Sequence, residues 1–108
     1  MRKRALLCGL FCAVSLIGTT GVATAADRIR GAGLALIWCK TCHVIDDRGT
    51  GPLIGEVPSF PDIARNSEVR NEDIYIRLSE SHVRMPQMAL SHRDKEDLIY
   101  YIRSLARQ

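Results

Sequence analysis

A chain of 108 residues, 46% hydrophobic and 25% charged, is sized for one domain and is neither a disordered polar polymer nor a fibrous repeat. The formal charge of +3 rests on Arg2, Lys3 and Arg4, and beyond them basic and acidic residues balance. A nucleic-acid-binding surface, which needs a cationic surplus, is therefore not expected.

The chain opens with those three basic residues, continues through an apolar run from Ala5 to Ile17, and reaches the small-residue pattern Ala23-Thr24-Ala25. This is the order of an export signal. Residues 1–25 are read as that signal, cleaved after Ala25 or Ala26, and residues 26–108 as the domain. Residues 5–26 carry no charge and could just span a bilayer if retained. Thr19, Thr20 and Gly21 weaken such a span, so membrane anchoring is not expected. Cys8 and Cys12 leave with the signal, and Cys39 and Cys42 remain.

From Arg28 to Trp38, the residues Gly31, Leu34, Ala35 and Trp38 recur at steps of three and four, predicting a helix that runs into Cys39. Gly31 and Gly33 each weaken it by about 1 kcal/mol relative to alanine, so both are expected to serve close packing.

Cys39-Lys40-Thr41-Cys42-His43 then follows with the spacing of a covalent haem attachment motif. Residues three and four apart share one side of a helical turn, so two thiols and an imidazole can address one flat ligand. The competing readings are weaker. An exported cysteine pair defaults to a disulfide; a zinc site lacks its second ligand pair; a thioredoxin-type centre lacks the preceding strand.

Residues 44–61 concentrate Asp46-Asp47, Gly49, Gly51-Pro52, Gly55, Pro58 and Pro61, which predicts a long loop. Such a loop is uncommon unless it serves a site, here one side of the haem. Ser59 is expected to cap a short turn through Ile63 and Ala64. Asn71-Glu72-Asp73 predicts a helix start with Asn71 as cap, carrying Ile74, Tyr75 and Leu78 and ending near Ser81. Between Ser81 and Leu90, Pro86 forces Met85 into extended backbone, so this stretch is a second loop. Ser91 and Asp94 form a capping box, with Glu96 and Asp97 adding negative charge near the helix start. Leu98, Tyr101, Ile102 and Leu105 follow on one face, and Arg103 and Arg107 favour the far end. No alternating run long enough for a sheet is found.

A haem iron in an electron-transfer protein takes four ligands from the porphyrin and, here, a fifth from His43. Candidates for the sixth are Met85, Met88 and His82. Met85 is favoured because Pro86 stiffens its backbone, and a thioether opposite histidine raises the reduction potential. His82 and His92 are expected to be solvent-facing or hydrogen-bonded bystanders, Arg77, Arg84 and Arg93 a solvated face, and Trp38, Phe60, Tyr75 and Tyr101 core or haem-edge packing. A domain of about 82 residues has little core to spare, and covalent haem would act as its staple.

Taken together, the residues from about Gly31 to Leu105 resemble the small class I cytochromes c of bacterial periplasms and mitochondria. Gly31 stands at the family's helix crossing, Cys39 to His43 at its haem motif, Met85-Pro86 at its axial methionine, and Leu98 to Ile102 in its last helix. The resemblance implies an all-α cytochrome c fold, with three main helices and long loops around one covalent haem c. It places Tyr101 over Gly31 and makes Gly51-Pro52 similar to the Gly-Pro whose carbonyl accepts the ligand histidine's ring proton, with Pro58 as the alternative. Ala35 stands where many relatives carry an aromatic residue, so the crossing is expected to pack differently. It implies single-electron transfer between redox partner proteins in a bacterial periplasm, without substrate turnover. Two other readings stand beside the free carrier: a cytochrome subunit of a dehydrogenase or oxidase complex, and a haem sensor or enzyme with a displaceable sixth ligand.

Overall fold

The computed structural model describes residues 25–80 and 85–107. Nearly all of the expected export signal, and the candidates His82 and Arg84, lie outside them. The element order is α1 (Arg28–Trp38), α2 (Phe60–Arg65), α3 (Asn71–Ser79) and α4 (His92–Ser104), with a closing 3-10 turn (Leu105–Arg107). The described residues contain helices and loops and no strand, as expected.

Each helix start has a local cause. Asp27 caps α1 by accepting from Ile29 N at 2.8 Å and Arg30 N at 3.1 Å. Ser59 caps α2 through Asp62 N at 3.1 Å, with Pro61 in the first turn, where its missing N–H costs nothing. In α3 the cap position belongs to Arg70 and not to Asn71, because Asp73 reaches back to Arg70 N at 2.9 Å and draws the boundary one residue earlier. That helix ends at Ser79. The Ser91–Asp94 box forms in both directions: Asp94 N donates to Ser91 Oγ at 3.1 Å and Ser91 N donates to Asp94 Oδ2 at 2.8 Å.

Helices α1 and α4 cross at Gly31. A Cβ there would lie 2.1 Å from the Asp97 carbonyl oxygen and 2.8 Å from Tyr101 Cβ, so only glycine admits the approach. Ala35, with its small side chain, is fully buried in the core beside this crossing. Gly33 differs from expectation: nothing lies within 4 Å of its Cβ position, so it has no packing role. Asp97, read as part of the negative charge near the helix start, is completely buried at this crossing. The core joins Ala35, Ile45, Phe60, Ile74, Leu98, Tyr101, Ile102 and Leu105.

The loop from Val44 to Ser59 is held at several points. Asp46 accepts from Arg48 N, Thr50 N and Thr50 Oγ1 at 3.0, 2.9 and 2.7 Å. Burial works to raise the Asp46 pKa, but these hydrogen bonds from Thr50 and Arg48 outweigh it and hold the carboxyl below its ordinary value. Tyr101 Oη donates to Ile45 O at 2.8 Å, tying α4 to this loop, and burial raises the phenol's pKa. Arg103 does more than favour a helix end: its guanidinium hydrogen-bonds Val69 O, and its Nε donates to Asn71 Oδ1 at 2.8 Å, fastening α4 to the α2–α3 connection.

Candidate functional site

A cavity of about 1020 Å³ opens between the Cys39–His43 turn, the Val57–Phe60 segment, α3, the Met85–Met88 segment and α4. It lies at the upper end of ordinary ligand sites, about 300–1,000 Å³. Its lining is predominantly apolar and includes Trp38, Phe60, Ile74, Leu78, Leu98 and Ile102. Cys39, Cys42, His43, Met85 and Met88 all reach it.

The Cys39 to His43 segment extends α1 by a turn. Cys42 N and His43 N both donate to Cys39 O, at 3.1 and 2.9 Å, so the motif is locally wound and its three ligand-type side chains are gathered. Both cysteines are free thiols, Cys39 buried and Cys42 half-buried, which leaves the local disulfide unformed. Burial, and secondarily Cys42, push the Cys39 thiol up to about 11. A buried neutral thiol behaves as a small apolar group and is compatible with the lining around it.

His43 Nδ1 lies 2.7 Å from the carbonyl oxygen of Pro58. A carbonyl can only accept, so Nδ1 carries a proton, and Nε2 is the nitrogen left to offer its lone pair to a metal. Of the two partners the resemblance offers, the structure has the alternative, Pro58, and not Pro52. The reason is Gly51: at φ 115° it turns the chain immediately before Pro52, and a Cβ there would lie 2.0 Å from His43 O. Gly51 thus packs against the His43 backbone, whereas the ring's partner comes from Pro58, which lines the cavity six residues later. Phe60 packs on the His43 ring, centroids 5.4 Å apart, and meets Tyr101 edge-on at 6.5 Å.

Met85 and Met88 are both half-buried and both line the cavity, and Pro86 is beside them. His92 stays away from the cavity, with Nδ1 2.9 Å from Tyr75 Oη, as a bystander. Of the expected solvated arginines, Arg77 borders the cavity and Arg93 approaches Asp97 Oδ2 at 3.9 Å. Trp38 lines the cavity while remaining 45% exposed, and Phe60 is buried. Sequence reasoning missed Ile74, Leu98 and Ile102 as lining residues, although helical spacing marked Ile74 on α3, and Leu98 with Ile102 on α4, as parts of two apolar faces. Pro58 was offered by the resemblance only as the alternative to Pro52, with no motif of its own to favour it.

Two free thiols and an imidazole from one turn, two thioethers from one loop, and an apolar space between them form a donor set suited to a flat metal-binding ring. No family model and no solved structure gives a significant match to the chain. It is similar to cytochrome c-552 of Bradyrhizobium diazoefficiens, 34% identical over 97 residues that cover 90% of this chain and 92% of that protein. With the helical fold, the Cys39–His43 turn and its apolar cavity, this relationship shows that the chain belongs to the small c-type cytochromes, electron carriers with covalently bound haem c.

Proposed function

We propose that this protein is a periplasmic single-electron carrier in which Cys39 and Cys42 hold the haem through thioether bonds and His43 Nε2 and Met85 Sδ bind its iron. The observation that carries the reading is the convergence of these four side chains on one apolar cavity, with His43 Nδ1 fixed on Pro58 O at 2.7 Å. When bound, haem supplies an iron that takes up and releases one electron. The Pro58 carbonyl fixes the imidazole's tautomer and ring orientation. Phe60 packs against the same ring, and the lining of Ile74, Leu98 and Ile102 excludes water. Pro86 restricts the backbone of Met85, which limits its movement when the iron changes charge. Redox partner proteins would supply and remove the electron.

The leader pattern of residues 1–25 supports export to the periplasm. Among the described residues no helix is long and apolar enough to cross a membrane.

The oxidised spectrum tests the ligand set. The Met–iron charge-transfer band is expected to vanish in Met85→Ala and to survive in Met88→Ala. The reverse result would transfer the role to Met88. A high-spin wild-type protein that takes up small ligands readily would favour a sensor or enzyme instead.

One observation supports the second reading, a subunit of a larger redox complex. Leu36, Ile37 and Trp38, which end α1 beside the haem motif, are 49%, 72% and 45% exposed. Native holoprotein eluting as a monomer would count for the free carrier, and elution in a larger assembly for the subunit.

A further inference from the structure

The backbone N–H of Asp27 donates to Asp97 Oδ1 at 2.7 Å. Asp97 is fully buried in α4, and its other oxygen, Oδ2, pairs with Arg30 Nη1 and lies 3.9 Å from Arg93 Nε. Ionised carboxylates are tolerated inside a protein when their charge and lone pairs are met. Two carboxylates, Asp94 and Asp97, meet two guanidinium groups, Arg30 and Arg93, while the Asp27 carboxylate accepts from the backbone N–H groups of Ile29 and Arg30. The atom facing Asp97 Oδ1 is a neutral amide nitrogen, although the carboxylate is completely buried. That nitrogen belongs to the residue directly after Ala26, where the small-residue run of the leader stops.

We propose that the exported chain is cut between Ala26 and Asp27, and that the α-ammonium so formed on Asp27 completes an ion pair with buried Asp97 at the α1–α4 crossing. The inference rests on the reading of the leader as an export signal. A signal-processing protease adds water across the Ala26–Asp27 peptide bond. The C–N bond breaks, a C–O bond forms, Ala26 leaves with the leader as a carboxylate, and the Asp27 nitrogen takes up protons to become an ammonium. A cut after Ala25 would leave the Asp27 nitrogen an amide. It would put the ammonium on Ala26, which lines a different groove with Glu72, Tyr75 and Glu96. A cation at the start of a helix is unfavourable by itself, because the exposed N–H groups there are already positive. A buried carboxylate at hydrogen-bond distance reverses that preference.

The full-length chain, expressed with its own leader in a Gram-negative bacterium that attaches haem c, tests this by intact mass and N-terminal sequencing of the purified holoprotein. Asp27 as the first residue supports the inference. Any other processed terminus overturns it and leaves the export reading standing, whereas a chain that keeps its leader in the cytoplasm overturns both. The ion pair has its own readout, the acylation rate of the α-amine at neutral pH. Pairing that raises the amine's pKa by about one unit slows the reaction about tenfold relative to Asp97→Asn. Equal rates overturn the pairing. If Asp97→Asn does not fold, a holoprotein that begins at Ala26 replaces it as the unpaired reference, with the same tenfold difference expected.

Discussion

At the α1–α4 crossing the polypeptide finishes its own packing: Gly31 admits the Asp97 backbone, Ala35 is buried beside it, and Tyr101 reaches across to Ile45 O. On the cavity side the same helix turns Leu98 and Ile102 toward a space of about 1020 Å³ lined mostly by apolar side chains. The difference teaches how a small domain divides its stability. One region depends on backbone contact that a single methyl group would disrupt. The other presents apolar surface to the cavity, and bound haem adds buried area there.

The sharpest way to break this comparison is to remove the attachment points. The Cys39→Ala, Cys42→Ala double variant is expected to be largely unfolded, because the cavity side loses its partner; a cooperative, native-like melt would show that the helix crossing suffices by itself.

The next largest effect belongs to the crossing. Gly31→Ala should cost about 3 kcal/mol in denaturant unfolding of the holoprotein, since the added methyl meets helix backbone that has little freedom to move. Tyr101→Phe should cost about 1–2 kcal/mol in the same measurement, because it leaves the buried Ile45 carbonyl without its donor. Gly33→Ala reverses the sign. Its Cβ position is open and its backbone helical, so a gain of about 0.5–1 kcal/mol is expected, and a loss would mean that the two glycines share a role.

The smallest expected effect is on pH dependence. Hydrogen bonds from Ser91, then the pairing with Arg30, hold the Asp94 carboxyl below its ordinary range. A depressed carboxyl contributes stability above its unfolded pKa, about 3.9, and loses it as pH falls through the lower folded value. Asp94→Asn should therefore flatten the acid limb of a stability profile below about pH 4 and leave the shape near neutrality unchanged.

Much of the fold was legible because its causes are local. The Cys39–His43 spacing, the Ser91–Asp94 box and the three-and-four spacing of Leu98, Tyr101, Ile102 and Leu105 act within a few residues and carry their own geometry. The α3 boundary was misplaced by one residue because Asp73 reaches back to Arg70, a competition between neighbouring caps that residue preference alone does not resolve. Gly31 and Gly33 look equivalent in the chain, and only the approach of α4 separates them.

The sequence by itself determined the cofactor chemistry and the helices, since covalent haem attachment and helix capping depend on near neighbours. Tertiary structure decided which proline serves His43, 15 residues away, and which aspartate receives the start of α1, 70 residues away. Those choices depend on where the loop and helices come to rest against each other, and local spacing along the chain does not encode that distance.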